Sequence, residues 1–393
     1  MNLFRRAERL QQLPPYLFAE IDRLRDEARR KGVDVIDLGV GDPDLSTPAA
    51  VVERARGAVL RPDYHRYPPY AGLPALRAKI AEFYGRRFDV ALDPEREVLV
   101  LIGSKEGLAH LPLALVNPLE RVLVPNPGYP VYRAATLFAG GVPVDLPLEP
   151  ENGFLPRAAD VERACPAKLL FLNYPNNPTA AVADVEFYRE MAALADRHRF
   201  WIASDLAYSE IGFEGYRAPS FLAAPGSRSV GIEFFSLSKT FNMTGWRVAA
   251  AVGNADLVAA LAAVKSNLDS GTPQFVQDAA AAALELADGE HLAPLLEIYR
   301  ERRDAVVEQL RVLGLAVEPP RATIYVWARV PAGHDSLTFA RYLLEHAGVV
   351  VTPGTGFGSR GQGFFRISLT TPTDRLREAI RRLSELPAWT GSA

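Results

Sequence analysis

The chain has 393 residues, enough for two or three domains, and its 48% hydrophobic and 23% charged residues are typical of a soluble globular protein. Its net charge of −3 shows no basic excess, so neither nucleic acid nor a membrane surface is expected as a partner. No apolar run reaches the roughly 18 residues of a membrane-spanning helix. Cys165 is the single cysteine, which excludes an internal disulfide and favours a reducing, cytoplasmic location.

Apolar runs typical of strands alternate with alanine-rich helical patterns, which predicts an α/β fold with helices on both faces of a sheet. A leading helix is predicted at 16–31 and is expected to pack with a second domain or a partner subunit. Strands are predicted at 97–102, 121–124, 168–172, 200–204, 230–235 and 248–252. Helices are predicted at 71–87, 104–115, 184–198, 255–266 and 273–286.

The pattern changes near residue 289 and predicts a second, smaller α+β domain. A long charged helix at 295–313 is followed by strands at 323–328 and 364–369 and by a terminal helix from Asp374. The predicted division is 1–45 as an N-terminal arm and part of the small domain, 46–288 as the large domain, and 289–393 as the small domain.

Lys239 lies among hydroxyl side chains directly after an apolar strand, with Arg247 eight residues later. Only six of the 44 basic residues are lysines, so arginine supplies most of the surface charge. Arginine cannot form a Schiff base, whereas a partly desolvated lysine can. From this segment alone, an ordinary solvated lysine and a reactive amine are equally good interpretations. A P-loop kinase is excluded because no glycine-rich loop precedes the lysine.

Polar side chains follow several predicted strands, at the sheet edge where open α/β folds bind ligands. Gly103, Ser104 and Lys105 begin a helix whose free backbone N–H groups suit a phosphate, although a plain helix start needs none. Asp205 and Tyr208 share one loop, where a carboxylate could hold a protonated ring nitrogen and a phenol a ring oxygen; a cap and a packed tyrosine explain them equally well.

An asparagine-rich turn is a further candidate segment, and the histidines bear on whether a metal is expected. The turn at 173–179 offers two asparagine amides for directional hydrogen bonds, although turn chemistry alone explains its composition. The six histidines are scattered and have no spacing typical of a metal site, so no metal is expected. The candidate segments occur along the chain in the order that a pyridoxal phosphate site needs: a phosphate cradle, an amide, an acid, a phenol, a lysine and an arginine.

With these segments the chain resembles the class I/II aminotransferases of fold type I, from Leu13 to the C-terminal helix. Within that family it is most similar to the LL-diaminopimelate aminotransferases. The segments that carry the resemblance are LPPYLFAEI at 13–21, GVGDPDL at 39–45, IGSKEG at 102–107, NPGYPVY at 126–132, NYPNNPT at 173–179, LSKTFNMTGWR at 237–247, KSNLDSG at 265–271 and VVTPG at 350–354.

The resemblance implies a large domain with a mostly parallel seven-stranded sheet between helices, a smaller α+β domain, and pyridoxal 5′-phosphate as cofactor. It also implies a homodimer with shared active sites. For catalysis it implies Lys239 as the Schiff-base lysine that moves protons, Asp205 at the pyridinium nitrogen and Tyr208 at the ring 3-oxygen.

The resemblance further implies which residues bind cofactor and substrate. The additional cofactor contacts are Ser104, Lys105, Tyr129 stacked on the ring, Asn177, Ser236, Ser238, Arg247, and Tyr67 reaching the neighbouring subunit's phosphate. The substrate contacts are Tyr16, Gly41, Lys105, Asn177 and Arg366. Arg366 is expected to bind the substrate α-carboxylate by a bidentate fork.

The sequence departs from the family pattern at two positions. Ala180 stands where glycine is frequent, which is expected to matter little if its backbone stays at negative φ. The loop at 67–72 offers no carboxylate to a distal substrate ammonium, because Ala71 lies there; selectivity for LL-diaminopimelate is then expected to be weak or to depend on Lys265, Asn267 or Tyr16.

The sequence therefore predicts an enzyme that moves an amino group from an amino acid to a 2-oxo acid, with 2-oxoglutarate as the expected acceptor. An LL-diaminopimelate aminotransferase, which would act in lysine biosynthesis, is the first interpretation. The alternatives are a broad aspartate- or alanine-type aminotransferase, a C–S lyase on the same fold, and a non-catalytic cofactor-binding regulator.

Overall fold

The computed structural model describes residues 7–13, 17–287 and 291–387. Its strands are β1 (Ile36–Asp37), β2 (Val98–Leu101), β3 (Arg121–Asn126), β4 (Val142–Pro147), β5 (Leu169–Asn173), β6 (Trp201–Leu206), β7 (Gly231–Ser236), β8 (Ala249–Gly253), β9 (Tyr325–Arg329), β10 (Val349–Val350), β11 (Thr352–Pro353) and β12 (Phe364–Ser368). Its helices are α1 (Glu8–Gln11), α2 (Leu17–Arg30), α3 (Ala49–Val59), α4 (Pro74–Phe88), α5 (Ser104–Leu115), α6 (Val131–Phe138), α7 (Ala158–Ala164), α8 (Val185–His198), α9 (Ser227–Val230), α10 (Leu237–Thr240), α11 (Ala255–Leu268), α12 (Gln274–Glu285), α13 (Leu292–Val312), α14 (Ser336–Ala347) and α15 (Thr373–Ser384).

The large sheet has seven strands in the order β2-β8-β7-β6-β5-β3-β4. All neighbouring strands are parallel except β8, which runs antiparallel to both β2 and β7. The expectation of a mostly parallel seven-stranded sheet is therefore confirmed.

Helices cover both faces of this sheet, because successive strand residues point to opposite sides. On β5, Leu170 and Leu172 pack into one core with α4, α8 and α12, whereas Phe171 packs into the other core with α5, α6 and α11. Two hydrophobic cores thus hold the sheet between its helices. No helix within the described ranges is both long and apolar enough to cross a bilayer.

The smaller α+β unit has its own core. Strands β11, β12 and β9 form an antiparallel sheet, and β1 pairs with β10. Helices α13, α14 and α15 pack on this unit. The leading helix α2 also packs here, since Leu24 and Ala28 contact the cluster of Leu344 and Val350. The exact domain boundaries stay a prediction.

One strand of the large sheet, β4, is absent from the sequence-based prediction. It lies at the sheet edge and pairs only with β3, and it carries Pro143 and Pro147. Proline cannot donate to a strand ladder and is tolerated at edges, so the sequence pattern of a central strand is missing there. Helix α4 begins at Pro74, three residues later than predicted, because proline is well suited to the first helical turn.

The carboxyl ends of β5, β6 and β7 lie side by side. Asn173 is in register with Asp205, and Asp205 with Phe234. The loops that follow these strands therefore meet at a single edge of the sheet, where open α/β folds bind their ligands.

Candidate active site

Asp205, at the end of β6, is a buried carboxylate with one open oxygen. It is 5% exposed, and its Oδ2 accepts a hydrogen bond from the Tyr132 hydroxyl at 2.7 Å. Its Oδ1 is buried and has no hydrogen-bond partner among the described residues. Desolvation raises the pKa of Asp205 to about 7, against the lowering effect of the Tyr132 hydrogen bond. A cationic N–H donor opposite Oδ1 would stabilise the charged carboxylate.

Tyr132, which is absent from the predicted site, is the residue that holds Asp205. It lies on α6 and its ring stacks on Phe171, with centroids 4.8 Å apart. Its other neighbour is the predicted stacking residue Tyr129, whose ring meets it edge-on at 5.8 Å. Burial and the nearby Asp205 charge raise the pKa of Tyr132, so it stays a protonated donor. The spacing of three residues from Tyr129 was the available sequence signal.

Lys239 lies on the short helix α10 directly after β7, as the sequence indicates. Its Nζ donates to the Gly41 carbonyl at 2.5 Å, which brings the predicted lysine and the predicted substrate-contact glycine together. Burial is the largest effect on Lys239 and lowers the pKa of its ammonium, which shifts the equilibrium toward the neutral, nucleophilic amine. Ser236 begins this turn, since its hydroxyl accepts from the Ser238 backbone N–H at 3.2 Å.

Three adjacent strand ends form a candidate phosphate cup. Leu101 on β2, Ala249 on β8 and Ser236 on β7 are in register, which places the start of α5 and Arg247 at the same edge. Gly103 precedes α5 with φ 76°, and a Cβ on it would lie 2.1 Å from Nη2 of Arg247. Glycine at this positive φ leaves room for the guanidinium beside the residue that precedes α5, and a cation near the free N–H groups of a helix start is an arrangement suited to an anion.

Arg366 on β12 has a guanidinium that is already oriented. It is 4% exposed; its Nη1 donates to Oδ1 of Asn177 at 2.7 Å and its Nη2 to the Gly39 carbonyl at 2.6 Å. Its central carbon lies 4.0 Å from the ring centroid of Tyr325. The Nε is buried without a hydrogen-bond partner in the part of the chain that the structure describes. A carboxylate arriving at this fork would meet an arginine that needs little reorganisation.

The asparagine turn places Asn177 next to Arg366. Asn173 Oδ1 accepts from the Asn177 backbone N–H at 2.8 Å, and Asn176 Oδ1 accepts from the Thr179 backbone N–H at 3.0 Å. The condition under which Ala180 was expected to matter little, a negative φ, is not met, because its φ is 59°. The turn closes tightly, with the Ala180 N–H on the Asn176 carbonyl, and this forces the left-handed conformation despite a cost of about 1 kcal/mol.

Tyr208 lies close to a second residue that is absent from the predicted site. Its hydroxyl is 3.1 Å from the Tyr325 hydroxyl, and both phenols are buried. Tyr325 comes from β9, more than 100 residues away in the sequence and outside every segment that carried the family resemblance. No sequence signal indicated it.

Three predicted site residues lie differently from the others. Lys105 is exposed, with its Nζ 5.9 Å from the Tyr129 ring centroid. Tyr67 is 85% exposed and does not join the cluster within this subunit. Tyr16 lies outside the described residues.

Lys265 on α11 is held in an ion pair. It is 1% exposed, and its Nζ contacts both carboxylate oxygens of Asp269, at 2.7 and 2.9 Å. Potential ligand atoms of Glu106, His110 and Asp269 lie within 4.8 Å of one another, and the Lys265 ammonium supplies positive charge there. The Asn267 side chain donates to the Ala263 carbonyl one turn earlier in the same helix. Among the described residues, neither Lys265 nor Asn267 forms a hydrogen bond or ion pair with another predicted site residue.

Comparison with known proteins identifies the family. Residues 33–383 match the family described as aminotransferase class I and II. The LL-diaminopimelate aminotransferase of Desulforudis audaxviator is 55% identical over 97% of each chain, and that of Aquifex aeolicus is 51% identical over 98% of this chain and 100% of the relative. Substrate-bound BacF from Bacillus subtilis is 41% identical with a TM-score of 0.92, covering 99% of this chain and 100% of that one. Aspartate aminotransferase from Thermus thermophilus with maleate is 35% identical, with a TM-score of 0.90, covering 97% and 99%.

The residues present fit the cofactor of this family, pyridoxal 5′-phosphate. The open Oδ1 of Asp205 suits a protonated ring nitrogen, and the cradle at Gly103 and Arg247 suits a phosphate. The desolvated Lys239 suits a reactive aldehyde carbon. The chain belongs to the class I and II aminotransferases and is a pyridoxal phosphate-dependent enzyme.

Proposed function

We propose that this enzyme transfers the amino group of LL-diaminopimelate to a 2-oxo acid, with 2-oxoglutarate as the acceptor. The names of relatives that are 51% and 55% identical over nearly the whole chain support the donor. The observation that carries the chemistry is the convergence of a desolvated Lys239, an Asp205 with one open oxygen and a preoriented Arg366.

The proposed roles follow from the position of each side chain. When bound, pyridoxal phosphate supplies a carbonyl that accepts the amino group and a ring that spreads the negative charge of the substrate Cα. Arg366 binds the substrate α-carboxylate and fixes the orientation of the Cα–H bond. Lys239 would accept the Cα proton as the neutral amine and give it up again as the ammonium, and burial lowers the pKa of that ammonium. Asp205 would hold the protonated ring nitrogen, and Tyr208 would donate to the ring 3-oxygen.

The other site residues are proposed to hold the cofactor. Ser104, Ser236, Ser238 and Arg247 would bind the phosphate, with Lys105 beside them. Tyr129 would stack on the ring, and Asn177 would bind the 3-oxygen while orienting Arg366. Gly41 would contact the substrate, since its carbonyl already accepts from Lys239.

We also propose that the enzyme is a homodimer with shared active sites. Tyr67 is 85% and Tyr70 62% exposed, so two large rings of one short loop lie in water in a single subunit. The loop is fixed from below by Gln274, whose amide donates to the Arg66 carbonyl at 3.2 Å. A partner subunit would cover both rings and receive the Tyr67 hydroxyl. A cytoplasmic location stays a prediction of the sequence.

Replacing Lys239 tests the chemistry. Lys239→Arg keeps the positive charge but cannot form a covalent bond with the cofactor carbonyl, so turnover should be lost completely. The absorbance of the covalently bound cofactor should disappear, while phosphate contacts still hold some cofactor. Turnover near the wild-type rate would contradict the assignment of Lys239.

A broad aspartate- or alanine-type specificity is the second candidate. It is favoured by the lack of a carboxylate at 67–72 and by the neutralisation of Lys265 by Asp269. The deciding measurement is kcat/KM for LL-diaminopimelate, aspartate, glutamate and alanine with 2-oxoglutarate. A preference for LL-diaminopimelate above about a hundredfold, roughly 2.7 kcal/mol, supports the proposed donor. Similar values support the broad enzyme, and release of a thiol from a sulfur-containing donor without transamination would indicate the C–S lyase.

A further inference from the structure

Tyr325 contacts residues from both halves of the proposed site. Its hydroxyl lies 3.1 Å from that of Tyr208, and its ring lies beneath the guanidinium of Arg366 at 4.0 Å. We infer that Tyr325 is a positioning residue that keeps the Tyr208 hydroxyl and the Arg366 guanidinium in fixed positions relative to each other. This inference rests on the roles proposed above for Tyr208 and Arg366.

The position of Tyr325 is fixed from several sides. It is 3% exposed, and its backbone N–H donates to the Thr323 hydroxyl at 3.2 Å. On β9 it is in register with Ser368 of β12, the strand that carries Arg366. Its hydroxyl lies so close to Gly41 that a Cβ there would be 2.0 Å away. The phenol therefore fills a space that only glycine leaves open, beside the carbonyl that accepts from Lys239.

On the cofactor side, the hydroxyl of Tyr325 can donate to the oxygen of Tyr208. Tyr208 is then free to direct its own proton to another oxygen, and hydrogen bonds in such a chain strengthen one another. Burial raises the pKa of Tyr208, so it stays protonated and available as a donor. Loss of the Tyr325 hydroxyl would weaken the donation from Tyr208 without removing it.

On the substrate side, the ring face of Tyr325 contacts the Arg366 guanidinium. A cation is attracted to the negative face of an aromatic ring, and the attraction is strongest where water is excluded. Phenylalanine would keep this face, whereas leucine would remove it. The two contacts of Tyr325 can therefore be separated by substitution.

Three holoenzyme variants test the inference: Tyr325→Phe, Tyr325→Leu and the control Tyr299→Phe. Tyr299 is a fully buried phenol in the same core, and its hydroxyl has no hydrogen-bond partner within the described ranges. The control therefore reports the effect of deleting a buried hydroxyl that forms no hydrogen bond with a described residue. Two quantities are measured: the pH midpoint of the bound cofactor's absorbance change without substrate, and KM and kcat for LL-diaminopimelate.

Tyr325→Phe should raise the pH midpoint by about half a unit and leave KM within about twofold, because a donor toward the ring oxygen is weakened but the ring face remains. Tyr325→Leu should show the same rise and increase KM by about fivefold or more. Tyr299→Phe should change neither quantity.

An unchanged pH midpoint in Tyr325→Phe, or a midpoint moved equally by Tyr299→Phe, would overturn the inference even if Tyr325→Leu failed to fold. An unchanged KM in a folded Tyr325→Leu variant would overturn the part of the inference that concerns Arg366. Failure of the proposed donor looks different, since the wild-type protein would then turn over aspartate or alanine at least as well as LL-diaminopimelate.

Discussion

Two carboxylates are buried on neighbouring strands of the large sheet, and their surroundings differ. Glu233 on β7 is fully buried and accepts four hydrogen bonds, from the Tyr84, Ser204 and Ser220 hydroxyls and the Phe221 backbone N–H, at 2.6–3.0 Å. Asp205 on β6 accepts only the bond from Tyr132, and its Oδ1 has no partner among the described residues. Burial raises the pKa of both groups.

Since both acids are buried, burial alone does not identify a functional acid. A carboxylate whose oxygens all accept hydrogen bonds from the protein has no capacity left for a ligand. It contributes to stability, since its removal leaves donors unpaired. A carboxylate with an open buried oxygen lacks a partner, which an incoming ligand can supply. We therefore expect Glu233 to act on stability and Asp205 on cofactor chemistry.

The largest expected effect is the loss of activity in Asp205→Ala. Without the carboxylate, the ring nitrogen is mostly unprotonated and the proton shift loses several kcal/mol of stabilisation, so kcat should fall by about a thousandfold. The apoenzyme should lose less free energy of unfolding than Glu233→Ala does, because only the Tyr132 hydroxyl loses its acceptor. Single-turnover kinetics and urea unfolding measure the two effects, and a tenfold or smaller loss of kcat would assign the ring nitrogen to another residue.

Glu233→Ala should show the opposite pattern. Four donors lose their acceptor and a cavity forms, so the free energy of unfolding should fall by about 3–5 kcal/mol. The folded fraction should retain kcat within a few-fold. Glu233→Gln is the matched control, since it keeps the shape and one acceptor and should cost less. A Glu233→Ala enzyme of normal stability but low kcat would contradict the assignment of Glu233 to stability.

The pH dependence of apoenzyme stability should separate the two acids. The folded-state pKa of Asp205, about 7, lies above its ordinary value of 3.8, so the folded chain binds a proton that the unfolded chain releases. Stability contributed by the protonated form is therefore lost as pH rises from about 4 to about 7, by about 2–4 kcal/mol.

Asp205→Asn should remove this part of the slope while Glu233 remains. Addition of pyridoxal phosphate should also flatten it, because the ring N–H supplies the missing partner. Urea unfolding at several pH values is measured for the wild-type apoenzyme, for Asp205→Asn and for the wild type with pyridoxal phosphate. Equal slopes in wild type and Asp205→Asn would contradict the elevated pKa of Asp205.

The smallest expected effect comes from removing a single donor. Tyr132→Phe deletes the one hydrogen bond to Asp205, so the charged carboxylate is less stable and both kcat and cofactor affinity should fall by about three- to tenfold. Ser220→Ala, which removes one of four donors to Glu233, should cost about 1 kcal/mol of stability and leave kcat unchanged. Equal effects of the two variants on kcat would mean that the number of hydrogen bonds does not distinguish the acids.

Much of the fold followed from local pattern. The boundaries of α5 and of the six predicted strands of the large sheet agree with the structure within about two residues, because buried strands and alanine-rich helices carry strong apolar patterns. The edge strand β4 was missed, since its prolines and partial exposure hide that periodicity.

Local sequence patterns were enough to predict the fold class, the family, and the candidates Lys239, Asp205 and Arg366, because motif spacing after each strand is a local property. The tertiary structure decided which oxygen of Asp205 is open and that Lys265 is neutralised by Asp269.

Only the folded chain also brought Tyr132 and Tyr325 to the site and set the φ of Ala180 at 59°. Hydrogen-bond partners, desolvation and backbone strain depend on neighbours that are distant in the sequence, and side-chain identity alone does not specify them.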